Sequence, residues 1–148
     1  MTELRERLGA IGMRDKVIDD ACLVLDEEVA DKSGLGGIAV KATYGIVKGI
    51  KPGFIRQAVD HLLDEFLDIM DAFVLEARSK NIKPGALILG DRARMANALL
   101  GATDRRAEKA ESGVIRKSYD KLRPAAQKHV EASAPRVARL VDKYTGSV

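Results

Sequence analysis

Residues 34–50 read GLGGIAVKATYGIVKGI, and the reading of this stretch decides the fold. By pattern alone it fits a helix or a strand. Val40, Thr43, Tyr44, Ile46 and Val47 favour a strand locally, while five glycines weaken either form. A helix from about Leu35 to Lys48 is the better reading, because the surrounding sequence is helical and offers a strand no partner. In that helix Lys41 and Lys48 share a face, two turns apart, and Ile38, Ala42, Ile46 and Gly49 share another. Glycine costs roughly 0.5–1 kcal/mol in a helix interior. Gly37, Gly45 and Gly49 therefore mark expected sites of close helix packing, where a neighbouring backbone recovers that cost.

Outward from this stretch the pattern stays helical. Thr2 can cap a short helix to Leu8. Arg14 to Ala30 carries Val17, Ala21, Val24, Leu25 and Val29 on one broad face. Lys51-Pro52-Gly53 is a breaker and restart. The helix from Phe54 to Ala77 is the clearest element and the expected spine of the core, with apolar residues recurring at three and four from Ile55. Asn81 to Gly85 reads as a turn, and Ala86 to Leu89 as a short turn or helix start. Asp91 can cap Arg92–Leu100, Thr103 or Asp104 can start a helix to Ala110, and Ser112 can cap one to Leu122. Pro124 suits a first helical position, and Pro135 should kink or break the pattern running to Tyr144. Gly146 to Val148 should fray. The sum is an all-α bundle of six or seven helices in a single domain spanning 1–148.

Two halves of the chain look alike in order. Residues 14–77 and 91–144 each read as a helix, a helix with basic residues and a tyrosine, and a third helix opened by a proline, Pro52 or Pro124. Three helices make a thin core, so pairing two such halves has a physical reason.

The chain has 148 residues and a formal charge of +3, which fits one domain. The single Cys22 excludes an intrachain disulfide framework and a cysteine-only zinc site. Neither a signal peptide nor a membrane span is expected. Charge is uneven. Residues 1–77 hold 15 acidic and 9 basic groups, and residues 78–148 hold 7 and 16. The division can steer an anionic partner, dock one half on the other, or join two copies.

Catalytic motifs are weak. Tyr44 and Lys48 have the Tyr-x-x-x-Lys spacing of short-chain dehydrogenases, but no dinucleotide sheet precedes them. Gly34-Leu35-Gly36-Gly37 follows a helix and lacks the phosphate-loop Lys-Ser/Thr. His61 with Asp64, Glu65 and Asp68 could hold a metal or form an acid–base pair, although it reads better as a boundary histidine. His129 reads the same way, and Cys22 reads as a small buried hydrophobe. The strongest charged feature is the run Arg105, Arg106, Lys109, Arg116, Lys117, Lys121, Arg123 and Lys128, a candidate polyanion-binding surface. No Trp and only 3 Phe and 3 Tyr argue against a stacking platform for single strands.

The phrases GLGGIAVKATYGIVKGIKPGF, with Ala30-Asp31-Lys32 before it, and Ser118-Tyr119-Asp120-Lys121-Leu122-Arg123-Pro124 resemble a family of small uncharacterised helical proteins from actinobacteria and some other bacteria. The resemblance spans most of the chain. It implies a bacterial cytoplasmic protein and carries over no activity, cofactor or catalytic residue. The leading expectation is a non-enzymatic structural or protein-interaction role, with a homodimer through residues 34–50 or across the acidic and basic halves. The alternatives are nucleic-acid binding through the basic run, and an enzyme with a site near Tyr44, His61 and neighbouring carboxylates.

Overall fold

A computed structural model of the chain describes residues 1–50 and 52–146, the Ile50 side chain excepted. Lys51 of the expected breaker, and Ser147 and Val148 of the expected fraying end, lie outside the described residues. Among the described residues the secondary structure is all helical, in eight elements: α1 Glu3–Leu8, α2 Arg14–Asp31, α3 Gly34–Ile50, α4 Phe54–Ser79, α5 Pro84–Gly90, α6 Arg92–Glu108, α7 Gly113–Ala132 and α8 Ala134–Thr145. The stretch 34–50 is a helix.

The helices number eight where six or seven were expected, and three boundaries differ from the sequence expectation. Ala86–Leu89 belongs to a full short helix, α5, which Pro84 opens. The turn before it is tight, with Asn81 in the left-handed region at φ 58°. Arg92–Leu100 and Thr103–Ala110 merge into α6, where the Thr103 hydroxyl donates to the Leu100 carbonyl at 3.0 Å inside the continuous helix. Pro124 starts no helix, because α7 runs through it. Pro124 and Asp120, the residue whose carbonyl loses its donor, are both exposed, so water can serve that carbonyl. The chain breaks instead at Ser133, with Pro135 in the first turn of α8.

Caps set several helix ends. The Thr2 hydroxyl accepts from the Arg5 amide at 3.2 Å and donates to Asp68 at 2.7 Å, pinning α1 to α4. Ser112 accepts from the Ile115 amide at 3.3 Å. Asp91 stands at the start of α6 but gives it no side-chain cap; its carboxylate pairs with Arg94 at 3.0 Å.

The spine is α4, which at 26 residues is about 39 Å long. It packs against α1, α2, α3, α5 and α6. Leu63, Leu67, Met70, Phe73, Val74 and Ala77 bury its inner stripe against Leu4 and Leu8 of α1, Val17 and Ile18 of α2, Leu87 and Ile88 of α5, and Met95 of α6. Each large aliphatic buried this way stabilises the fold by roughly 1.5–3 kcal/mol.

Contacts in the two halves correspond. Helix α1 packs on α4 as α5 packs on α8; α2 meets α3 as α6 meets α7; α4 meets α6 as α8 meets α2. The Asp71 carboxylate accepts from the Leu4 amide at 3.1 Å, and the Asp142 carboxylate accepts from the Gly85 amide at 2.8 Å. Buried positions 63, 67, 70 and 74 of α4 recur 71 residues later at 134, 138, 141 and 145 of α8. On α2, Asp26 accepts the Tyr44 hydroxyl at 2.5 Å and lies 3.7 Å from Lys48 of α3. On α6, Asp104 accepts the Tyr119 hydroxyl and pairs with Arg123 of α7 at 2.8 Å. One corresponding pair is inverted in charge. Arg136 of α8 binds Glu28 and Asp31 of α2, whereas Glu65 of α4 binds Arg105 of α6.

Candidate interaction surface

Helix α3 is held by its inner face alone. Gly37 and Thr43 are buried and Tyr44 is half-buried, bonded to Asp26. At Gly37 an added Cβ would stand 2.7 Å from the Lys32 carbonyl carbon, so the turn from α2 into α3 needs glycine there. The outer face is apolar and uncovered. Leu35 is 88% exposed, Ile38 65% and Ile46 56%. Ala39, Ala42, Gly45 and Gly49 are exposed on the same arc. A Cβ at Gly45 or Gly49 would meet only open space, so neither glycine serves packing within the chain. Lys41 and Lys48 flank the stripe, and α3 has no acidic residue. Lys48 also lies over the Tyr44 ring, 5.2 Å from its centroid.

Helix α7 provides an internal control. The tyrosines and cations of the two Asp–Tyr–cation groups are each 75 residues apart, Tyr44 with Tyr119 and Lys48 with Arg123. That register sets Ala42, Gly45, Ile46 and Gly49 against Lys117, Asp120, Lys121 and Pro124, which are also exposed. The outer face of α7 is thus polar where that of α3 is apolar. Nothing in this packing scheme asks for alanine, isoleucine and glycine on the outside of α3.

The basic run divides in two. Arg123 is bound to Asp104 and Arg105 to Glu65, so both serve the fold. Arg106, Lys109, Arg116, Lys117, Lys121 and Lys128 are exposed and have no acidic partner among the described residues. Lys117, Lys121 and Lys128 recur at four and seven, so they form one stripe along α7. The acidic half is consumed differently. Asp15, Asp19, Asp20, Asp26, Glu27, Glu28 and Asp31 of α2 all enter ion pairs, as do Asp60, Asp64, Glu65, Asp68 and Glu76 of α4. Part of the charge division is therefore internal, and the surplus is basic.

Tyr44 and the carboxylates near His61 are engaged within the fold. Burial and the Asp26 carboxylate push the Tyr44 hydroxyl well above its ordinary value, away from acid–base use near neutrality. Burial raises the Cys22 thiol. His61 is exposed on α4, and the carboxylates around it are engaged: Asp64 by Arg14 and Arg5, Glu65 by Arg105, Asp68 by Thr2 and Arg5. His129 is pushed down by burial and by Lys32 and Lys128. No group of three metal-ligating side chains occurs among the described residues. No described helix is long and apolar enough to cross a membrane. Sequence reading placed Ile38, Ala42, Ile46 and Gly49 on one arc; it missed Leu35 and Ala39, which the same helical spacing adds.

A family model described as a family of unknown function, DUF6918, matches residues 4–145. The chain belongs to that family. The match runs from α1 into α8, so this DUF6918 chain is matched across both of its corresponding halves. No curated protein and no solved structure matches it.

Proposed function

We propose that this DUF6918 chain is a non-enzymatic protein-interaction module whose contact surface is the outer face of α3. One observation carries the reading: the face equivalent to the polar outside of α7 is apolar and uncovered on α3. An exposed apolar stripe of this kind marks an association site. The engaged state of the Tyr44 hydroxyl and of the carboxylates near His61 supports a scaffold over an enzyme. The test is site-specific photo-cross-linking in cells that produce the chain, with the probe at Ile38 or, as control, at Lys121. A discrete protein adduct from Ile38 alone is the expected result. Equal labelling from both positions, or from neither, would sink the reading.

A second reading has its own observation, the six exposed cations between Arg106 and Lys128 that lack acidic partners among the described residues. It makes the C-terminal half a polyanion-binding surface. Titration against duplex DNA and RNA tests it: micromolar binding that weakens steeply with salt supports it, and no binding at low salt removes it. We also propose that the corresponding halves are duplicated units. The pairs Asp71–Leu4 with Asp142–Gly85, and Asp26–Tyr44 with Asp104–Tyr119, support that history.

A further inference from the structure

We propose that α3 is the contact of an antiparallel, two-fold homodimer centred on Ala42. This names the partner of the interaction surface above and rests on that reading.

The argument starts from the order of sizes along the exposed stripe. Leu35 and Ile38 stand at the N-terminal end, and Gly45 and Gly49, with Ile46 between them, stand at the C-terminal end. Ala42 lies midway, seven residues from both Leu35 and Gly49. An antiparallel crossing at Ala42 sets Leu35 of one copy over Gly49 of the other, Ala39 over Gly45, and Ile38 beside Ile46. Leu35 and Ala39 each meet a glycine with open space above it, and the isoleucines of the two copies lie side by side. The stripe is thus complementary to itself, as a two-fold interface must be. It also gives the exposed glycines a use. A glycine outside a helix costs stability and returns it only where another backbone approaches closely. A bilayer or a nucleic acid supplies no such backbone.

Area sets the strength. A helix of 17 residues is about 25 Å long and about 10 Å across, so its outer half presents roughly 400 Å². That is about half of the roughly 800 Å² per partner in a standard interface. The dimer is therefore weak and forms with concentration. The two-fold also sets Lys41 and Lys48 of both copies along one edge. Their repulsion is screened by salt. Added salt tightens the dimer, the opposite of polyanion binding.

Sedimentation of the purified full chain from micromolar to several hundred micromolar tests this. Growth of dimer with concentration, enhanced by salt, is the expected result. Ala42→Lys and Ile46→Lys place a charge where α7 already carries Lys117 and Lys121, so they spare the fold, with melting temperature as the check. Each should weaken the dimer at least tenfold. In a Cys22→Ala background, Leu35→Cys chains mixed with Gly49→Cys chains should form the mixed disulfide faster than either forms its own. A chain that stays monomeric, a dimer indifferent to both lysine substitutions, or preferential like-with-like disulfides would each overturn the proposal. A monomeric chain that still gives the Ile38 adduct in cells overturns the homodimer and keeps the interaction surface; one that gives neither overturns both.

Discussion

Glycines 37, 45 and 49 occupy one helix under two different conditions. At Gly37 a methyl group would strike the Lys32 backbone; at Gly45 and Gly49 it would strike nothing. Alanine should therefore destabilise the first site by about 1–3 kcal/mol. It should stabilise either of the others by about 0.4–1 kcal/mol, through lost freedom in the unfolded chain. Chemical denaturation of the three variants at low protein concentration reads those signs without the dimer. Spacing alone treats the three glycines alike, because a helical pattern says nothing about how close the next backbone lies. Asp104 is the second informative residue. Arg123 and then Tyr119 hold its carboxyl below the ordinary range, and Tyr119 itself is pushed up to about 12, first by burial. A depressed folded-state pKa gives stability that is complete above the unfolded value, about 3.9, and is lost as pH falls through the folded one. Asp20 and Asp64 are depressed as well, by Lys143 and by Arg14. The melting temperature should fall below about pH 4, and Asp104→Asn should flatten that fall.

At the scale of elements, periodicity was informative throughout and punctuation only in part: the Thr2 and Ser112 caps and the break before Pro135 are present. Helix α4 could be read from its apolar spacing, and so could the helical state of α3, once no partner strand was found. The errors lay at the restart expected at Thr103 or Asp104, at Pro124 and at the start of α5. Proline at a solvent-facing position lets a helix pass, since the carbonyl it deprives can turn to water, and sequence does not say which positions face solvent. Pro124→Ala should restore that hydrogen bond and raise the stability of α7 by up to about 3 kcal/mol, seen as a higher melting temperature. Helix α5 shows the reverse sensitivity. An added Cβ at Gly85 would overlap the Asp142 carboxylate and stand 3.0 Å from the Ala138 carbonyl oxygen. Gly85→Ala should cost about 1–3 kcal/mol in thermal unfolding, by pushing α5 off α8.

For the whole molecule, the acidic and basic halves of the sequence become an ion-pair lattice. Arg136 ties α8 to α2, Lys143 ties α8 to Asp20, and Arg14 ties α2 to α4. These pairs lie at the surface, half-buried to exposed, so each contributes modestly and all weaken with salt. Moderate salt should therefore lower the melting temperature slightly while it favours the dimer, two opposed effects on one sample. The sequence counts showed the imbalance of charge but not its destination, because ion pairs between α2 and α8 join residues more than a hundred positions apart.

The inverted pair between the halves has a consequence for assembly. Arg136 meets Glu28 and Asp31 where, in the corresponding crossing, Glu65 meets Arg105. Two N-terminal halves brought together in the same way would set Glu65 against Glu28, and two C-terminal halves would set Arg136 against Arg105. Each half thus recognises its opposite and repels its own kind. The polypeptide enforces by charge a pairing that similar shapes would leave ambiguous, so newly made chains are steered away from joining through two like halves.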